Sequence, residues 1–494
     1  MLLDQESLRF IFGLKLRSIR LEKNLSLKEL SSRSKLSPSY INEIEKGKKY
    51  PKSEKIILLA NSLGVNYDEL ISLQLKNELS LLSKFLKTNV LKGLPLDVFG
   101  IPARSIFELM AEHPQKFSSL LGALLDLTRH FNIKVEDFFF AALRAQIDMN
   151  GNYFPEFEEA VENFRKEAQW EEVPSPKETY SKLKQVLEKR FQRVIVEKNF
   201  SELAPELAEL YFFCDVGNEN RLFLNKNLGE REKAFILAKE VGFAQMKLVD
   251  RFPFSNAGKF DSYEPVYNNF AASYFASALL IPRQTFVSEV EKFLNRKDWD
   301  SDLFVKWMKK YPGTLESFFH RLAQVLPHFF GLENLFFIRY DLDSRKNTFD
   351  LSRELHLSEL HAPYRKSGKE HYCRRWISTK LLQKSQEGKK SEYAGAQRSD
   401  FFAKKLEYLC LSVAHKQELK EKEFTCTTIG ILVNDLTRKK VKFLDCVSIP
   451  QLKVADTCEQ CQLVDCKERA TPRQADYDEL RVKTRKIIQE VLDR

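Results

Sequence analysis

The stretch that most constrains this chain is Ser26 to Pro51, SLKELSSRSKLSPSYINEIEKGKKYP. Two short helices joined by a tight turn are predicted there. Ser26 is a favoured N-cap and Glu29 lies three positions on, the spacing of a capping box. Leu27 and Leu30 face inward at helical spacing, and the first helix is expected to end near Arg33 to Lys35. Ser37 then caps a second helix with Pro38 at its first position, where the missing N–H removes no hydrogen bond. Ile41 and Ile44 carry the buried stripe, which leaves Ser39, Tyr40, Asn42 and Glu43 on the outer face. Gly47 ends the helix, and Lys46, Lys48, Lys49 and Lys52 crowd its exit. Polar side chains at a helix start suit base edges, and flanking cations suit phosphates.

The segment Phe12 to Ile71 resembles the Cro/C1-type (XRE) helix-turn-helix domain through LRSIRLEKNLSLKELS, LSPSYINEIEKG and LLANSLGVNYDEL. The resemblance implies a five-helix bundle that places Pro38–Glu45 in the major groove of double-stranded DNA. Ser39, Tyr40, Asn42 and Glu43 are then the candidates for base contact. Asn42 suits adenine, and Glu43 can accept from a cytosine amino group. Ser26, Lys28, Lys46, Lys48 and Lys49 are the candidates for phosphate contact. A homodimer on half-sites about one helical turn apart is also implied. Charge agrees: Phe12 to Ile71 holds 12 Lys and Arg against 7 Asp and Glu, roughly half of the formal +10 of the chain. A clustered basic surface is the electrostatic footprint of nucleic-acid binding. The rival is a bundle of the same shape used as an antitoxin-like protein-interaction module.

A chain of 494 residues is too long for one core, and several domains are expected. With 43% hydrophobic and 30% charged residues, and only 17 Gly and 17 Pro, it reads as a helix-rich globular protein. The start MLLDQESLRFIFG lacks a secretory pattern, and the densest apolar run, Phe138 to Leu143, is far too short to span a bilayer. A cytoplasmic protein without membrane contact is therefore expected. In that compartment its eight Cys are free, metal-binding or redox-active rather than structural disulfides.

The expected fold class is multidomain, mostly α with α+β, in four parts. Residues 1–75 form the DNA-binding bundle, with a fifth helix from Asn66 to about Leu73. Residues 76–170 form a helical connecting or dimerising layer, carried by LSLLSKFLKTNVL, SIFELMAEHPQKFSSLLGALLDLTRHF and VEDFFFAALRAQI. WEEVPSPK, from Trp170, reads as a linker. Residues 171–300 form an α+β domain: a helix running into a strand, a hairpin around Gly217-Asn218, the helix GEREKAFILAKEVGFAQMKL and one long helix within Tyr263 to Phe293. Residues 301–494 open with a helical pair around Pro312–Gly313, whose inward positions are Phe318, Leu322, Val325 and Leu326. Strands LFFIRYDL, FTCTTIGILVN and KVKFLDCVSI follow in a Cys-containing α+β domain.

FILAKEVGF and FAASYFASALLIP resemble the two core helices of the ImmA/IrrE metallopeptidase-like domain. In that family two His four residues apart hold Zn, the Glu after the first His is the general base, and a carboxylate of the second helix completes the set. Here those ligand positions are Lys239, Phe243 and Asn269, and only the Glu remains, as Glu240. The resemblance thus implies a degenerate peptidase fold without hydrolysis. A peptidase that cleaves a repressor is the rival reading. Lys239 with Glu240 reads either as a proton-transfer pair or as a plain salt-bridged pair.

The domain order resembles the short-chain fatty-acyl transcriptional regulators. That resemblance implies a small-molecule effector such as an acyl-CoA, sensed beyond the DNA-binding bundle. Cys458 and Cys461 form a C-x2-C turn, and Cys466 follows five residues later. Thiolates at this spacing can share Zn or an Fe–S cluster. The fourth ligand is read from the resemblance as Cys373, which stands shortly before Trp376, with Cys446 in reserve. Reduced thiols or a Cys458/Cys461 redox pair remain open at this stage. Cys214, Cys410 and Cys426 read as core residues. Arg374 and Arg375 suit a surface or an anion.

Overall fold

The computed structural model describes residues 5–72, 134–170, 174–215, 220–255, 262–357, 371–420 and 423–492, with isolated positions between 100 and 126 and at 260. The helices expected over 79–91 and most of 105–131 lie outside the described residues, so that of the expected layer at 76–170 mainly residues 134–170 are described. The chain divides into two compact units, 1–146 with 259–266 and 147–258 with 267–494.

The bundle comprises α1 (Gln5–Glu22), α2 (Leu27–Ser34), α3 (Pro38–Glu45), α4 (Ser53–Leu63) and α5 (Tyr67–Ile71). Leu16, Leu30, Ile41, Ile44, Leu59 and Leu70 meet in its core. The capping box forms as the sequence implies: Glu29 N donates to Ser26 Oγ at 3.2 Å, and Ser26 N donates to Glu29 Oε2 at 2.7 Å. Ser37 Oγ accepts from Tyr40 N at 3.3 Å, with Pro38 at the first helical position. The fifth helix stops at Ile71 because Lys15 closes it: its ammonium donates to Glu69 O at 2.9 Å and Ser72 O at 2.7 Å, satisfying carbonyls a helix end leaves open. At Gly13, α1 crosses the end of α3 so closely that a Cβ there would lie 2.1 Å from Ile44 O.

Beyond the bundle, α6 (Val135–Met149) coincides with the predicted VEDFFFAALRAQI helix, and α7 (Pro155–Glu167) follows. Trp170, read as the start of a linker, is buried and packs on Phe164 with ring centroids 6.4 Å apart. A large aromatic buries too much apolar area to remain in a solvated spacer.

The first sheet has the order β1 (Val194–Lys198), β3 (Arg221–Asn225), β2 (Phe212–Cys214). β1 pairs parallel to β3 and β2 antiparallel. α8 (Pro176–Arg190) leads into it, and α9 (Glu230–Gln245) and α10 (Glu264–Leu280) supply buried faces. The single long helix expected within Tyr263 to Phe293 is two: Pro282 interrupts it after Ile281 and opens α11 (Arg283–Leu294). Proline removes a donor and restricts the preceding residue, so the chain restarts there.

α12 (Ser301–Lys309) and α13 (Leu315–Phe330) are the pair expected around Pro312–Gly313. Phe318, Leu322, Val325 and Leu326 are buried as their spacing predicts. Arg321 of α13 is fully buried and donates to Glu158 of α7 at 2.5 and 3.0 Å, and Tyr274 of α10 donates to the same carboxylate at 2.9 Å. One carboxylate thus joins three helices. Burial pushes this carboxyl up, but Arg321, Tyr274 and Arg283 together hold it below the usual carboxylate range.

The second sheet runs β5 (Thr348–Leu357), β4 (Leu335–Asp343), β8 (Glu423–Leu432), β7 (Leu406–Lys416), β6 (Glu392–Phe401), β9 (Gln451–Lys453). Its pairs are antiparallel except β6 with β9. α14 (Ile377–Glu387) packs on it, and α15 (Asp435–Lys440) and α16 (Gln474–Leu492) follow β8 and β9. KVKFLDCVSI is not a strand. Val441 to Ile449 winds through turns closed by Cys446 N to Phe443 O at 3.0 Å and Ile449 N to Cys446 O at 2.9 Å. Phe443 sets this path, because its ring lies 5.0 Å from Phe293 and 5.9 Å from Trp299, and Val441 and Leu444 are buried with it rather than alternating. Cys446 therefore sits in a turn, not at a strand end.

Candidate nucleic-acid interface

α3 is fixed by its far end. Arg20 of α1 donates from Nε to Glu45 Oε1 at 2.6 Å and from Nη2 to Oε2 at 2.8 Å, and from Nη1 to Leu25 O at 2.7 Å. Both side chains are over nine-tenths buried. The Glu45 hydrogen bond raises the Arg20 guanidinium above its ordinary value. A bidentate fork of this kind fixes direction as well as distance. It orients the helix whose outer face carries Ser39, Tyr40, Asn42 and Glu43. Sequence reading missed this clamp, since its partners lie 25 positions apart.

The four outward residues differ in freedom. Ser39 is exposed. Asn42 is half-buried, and its side-chain amide has no hydrogen bond among the described residues. Glu43 is held by Lys49, whose ammonium lies 2.8 Å from its carboxylate. Tyr40 packs its ring against the core and offers a face to Lys55, 4.3 Å from the centroid, and to Lys49 at 5.7 Å. Around them Ser26, Lys28, Lys48 and Lys49 are exposed and Lys46 is half-buried. Lys55 is a cation the sequence reading did not single out. The signal was available: Lys52 and Lys55 stand one turn apart at the start of α4, facing the exit of α3.

A second constellation lies in the 147–258 and 267–494 unit. Glu240 of α9 accepts from Arg251 Nη1 at 2.8 Å and from Arg251 Nη2, and Arg193 Nη2 lies 3.2 Å from the same carboxylate. It is thus a buried counter-ion of two guanidinium groups, not half of a proton-transfer pair with Lys239. Arg251 also lies over the Phe243 ring, 4.1 Å from its centroid, and Lys239 Nζ is 5.8 Å from the same centroid. Burial and then the charge of Arg251 push the Lys239 ammonium down to about 8. Phe243 is buried and Asn269 half-buried. An ammonium, a phenyl ring and an amide do not make a Zn set, so the three ligand positions do not fit the family's metal.

The sulfurs form a third patch. Tyr372 bridges Thr457 in antiparallel fashion, Cys373 N donates to Asp456 O at 3.2 Å, and Cys458 N donates to His371 O at 2.7 Å. This brings buried Cys373 beside the turn of buried Cys458 and Cys461, while Cys466 is half-buried beyond them. Burial pushes the Cys373 thiol up to about 11. Cys458 Sγ accepts from Ala470 N at 3.4 Å. Among the described residues no three His, Cys, Asp or Glu side chains are arranged to hold an ion. Cys410 and Cys426 are buried in β7 and β8, and Cys214 is half-buried in β2. Among the described residues no helix is long and apolar enough to cross a membrane.

Comparison with known proteins agrees with two of these regions. The helix-turn-helix family matches residues 16–70, and the IrrE N-terminal-like domain matches residues 199–323. No curated protein sequence matches the chain. Among solved structures, a Mycobacterium tuberculosis transcriptional regulator is 16% identical over 68% of this chain and 94% of its own, with a TM-score of 0.48. The restriction-modification controller protein C.AhdI from Aeromonas hydrophila is 34% identical over 13% of this chain and 94% of its own, with a TM-score of 0.12. The clp gene regulator ClgR from C. glutamicum is 36% identical over 13% of this chain and 83% of its own, with a TM-score of 0.13.

Proposed function

From a chain that carries a helix-turn-helix domain and an IrrE N-terminal-like domain, we propose a sequence-specific transcription regulator whose peptidase-like domain binds a ligand and cuts nothing. The observation that carries this reading is α3 itself. It is clamped at Glu45, presents Ser39 and an Asn42 amide unengaged among the described residues, is followed by Lys46, Lys48 and Lys49, and has Lys55 against Tyr40, with exposed Lys28 on the preceding helix. The protein acts as a homodimer, one α3 per half-site about one helical turn apart. A metabolite such as a short-chain acyl-CoA sets the dimer's affinity for DNA. The absence of hydrolysis rests on Lys239, Phe243 and Asn269 at the ligand positions and on the two arginines that occupy Glu240.

Chromatin immunoprecipitation of wild type and of Ser39→Ala/Asn42→Ala tests the reading in cells. Occupancy should collapse at specific promoters in the double variant. Unchanged occupancy would favour the interaction-module alternative. Zn-dependent cleavage of a repressor by the pure protein, lost in Glu240→Gln, would favour the peptidase alternative. The Cys373, Cys458, Cys461 and Cys466 patch is the proposed seat of Zn or an Fe–S cluster. Shared burial of the first three supports it, and holding an ion requires the thiols to turn toward one point. Metal analysis of native protein and of Cys458→Ser tests this: a stoichiometric ion lost in the variant supports the seat, and none in either sinks it.

A further inference from the structure

The positions that hold metal in the peptidase family lie beside cations here. Three separate parts of the chain deliver them. Arg193 stands at the entry to β1, Lys239 lies on α9, and Arg251 leads a segment tied to β2 by Cys214 N to Pro253 O at 2.6 Å and Ser255 N to Phe212 O at 3.1 Å. One carboxylate, Glu240, pairs with Arg193 and Arg251, and its charge also acts on Lys239, the preceding residue of α9. The cluster therefore keeps a surplus of two positive charges. Its donors are also incompletely used. Arg193 Nε and Arg251 Nε are buried N–H groups with no acceptor among the described residues. Lys239 makes no hydrogen bond or ion pair among the described residues, and its only described contact of this kind is the Phe243 ring.

Buried donors without acceptors are costly, and buried like charges more so. The lowered Lys239 ammonium reflects that cost. The groups that act on it are Arg251 and Arg353, which push it down, and Glu240 and Cys214, which pull it up; Arg353 has its own partner in Glu316. An oxyanion among Lys239, Arg193 and Arg251 removes the surplus charge and accepts the idle donors at once. Arginine forks suit oxyanions in geometry as well as charge.

We infer that the degenerate metal position is an anion site, formed by Lys239, Arg193 and Arg251 around Glu240, that takes the phosphate dianion of a small ligand. This rests on the reading that the domain binds rather than cuts. A dianion is preferred to a carboxylate because the surplus is two charges. The phosphate is either free or part of a larger metabolite.

Isothermal titration calorimetry of the full-length protein tests the site, with sodium phosphate compared against sodium chloride at equal ionic strength. One phosphate should bind per chain, and acetate should bind at least tenfold more weakly. Lys239→Met, which breaks no described ion pair, should lower phosphate affinity at least tenfold without lowering the melting temperature in chloride. Arg193→Gln should lower phosphate affinity to the same degree, as a second variant, with some loss of melting temperature because it also removes an ion pair from buried Glu240. Coenzyme A binding more tightly than inorganic phosphate, and losing affinity in Lys239→Met, would identify a phosphate carried on a larger ligand. Equal heats for wild type and both variants, or no phosphate binding by wild type, would overturn the site. So would acetate binding as tightly as phosphate. These heats involve no DNA, so their failure leaves the DNA-binding reading intact. Failure of the non-proteolytic reading shows separately, as Zn-dependent cleavage.

Discussion

Asn42 and Glu43 are neighbours on α3 with unequal freedom. The Asn42 amide is unengaged among the described residues, whereas the Glu43 carboxylate already holds Lys49 at 2.8 Å. Asn42→Ala should therefore cost about 1–3 kcal/mol at one base pair and relax specificity there. Glu43→Ala should cost less, because it also releases Lys49 to a phosphate. Gel shifts on operators substituted one base pair at a time separate the two. Equal losses for both would show that the Glu43–Lys49 pair opens on DNA. The residue types on the outer face of α3 were legible in the sequence because each is set by its own helix: N-cap, apolar stripe, outward remainder. Their pairings were not, because Lys55 meets Tyr40 across a turn between α3 and α4.

At the scale of elements, α3 is positioned by α1 through a clamp and a close crossing. Breaking one half of a buried ion pair leaves an uncompensated charge and costs about 3–5 kcal/mol. Glu45→Gln and Arg20→Met should each destabilise the bundle to that degree, seen as an early thermal transition and as lost DNA binding. Gly13→Ala should act more sharply on DNA binding than on folding. Its Cβ meets backbone, Ile44 O at 2.1 Å, so α1 and α3 must separate. Wild-type operator affinity in Gly13→Ala would contradict the crossing as drawn. The elements themselves were largely legible. Ser26 with Glu29 and Ser37 with Pro38 mark helix starts with local chemistry, and the structure bears them out. KVKFLDCVSI was misread because β-branched and aromatic residues score as strand, whereas Phe443 is drawn to Phe293 and Trp299 far away in sequence. The helix within Tyr263 to Phe293 was read as one because its apolar period continues across Pro282.

At the scale of the whole molecule, the peptidase-like fold is held by interactions unlike those of its expected active site. Arg321, Glu158 and Tyr274 lock α13, α7 and α10 together. The Glu158 carboxyl is held below its ordinary range in the folded state. A depressed carboxylate contributes stability that is present above its unfolded value of about 4.3 and is lost as pH falls through the folded value. The thermal transition of this unit should therefore be flat above about pH 5 and fall steeply below about pH 4. Glu158→Gln should flatten that acid limb, and an unchanged acid limb would remove the lock from the account. The loss of metal ligands at Lys239, Phe243 and Asn269 was readable directly. The cationic cluster that replaces them was not, since Arg193 and Arg251 reach Glu240 only through tertiary folding.

Reading of DNA through α3 and its neighbouring lysines depends on phosphate contacts, which release bound counterions. The salt dependence of full-length protein binding to a promoter fragment recovered by the immunoprecipitation tests that reading. Each lysine seated on a phosphate should contribute a slope of about −0.9 to log K against log salt, and Lys48→Ala should make the slope shallower by about that much. Affinity that does not change between roughly 50 and roughly 200 mM salt would contradict the account.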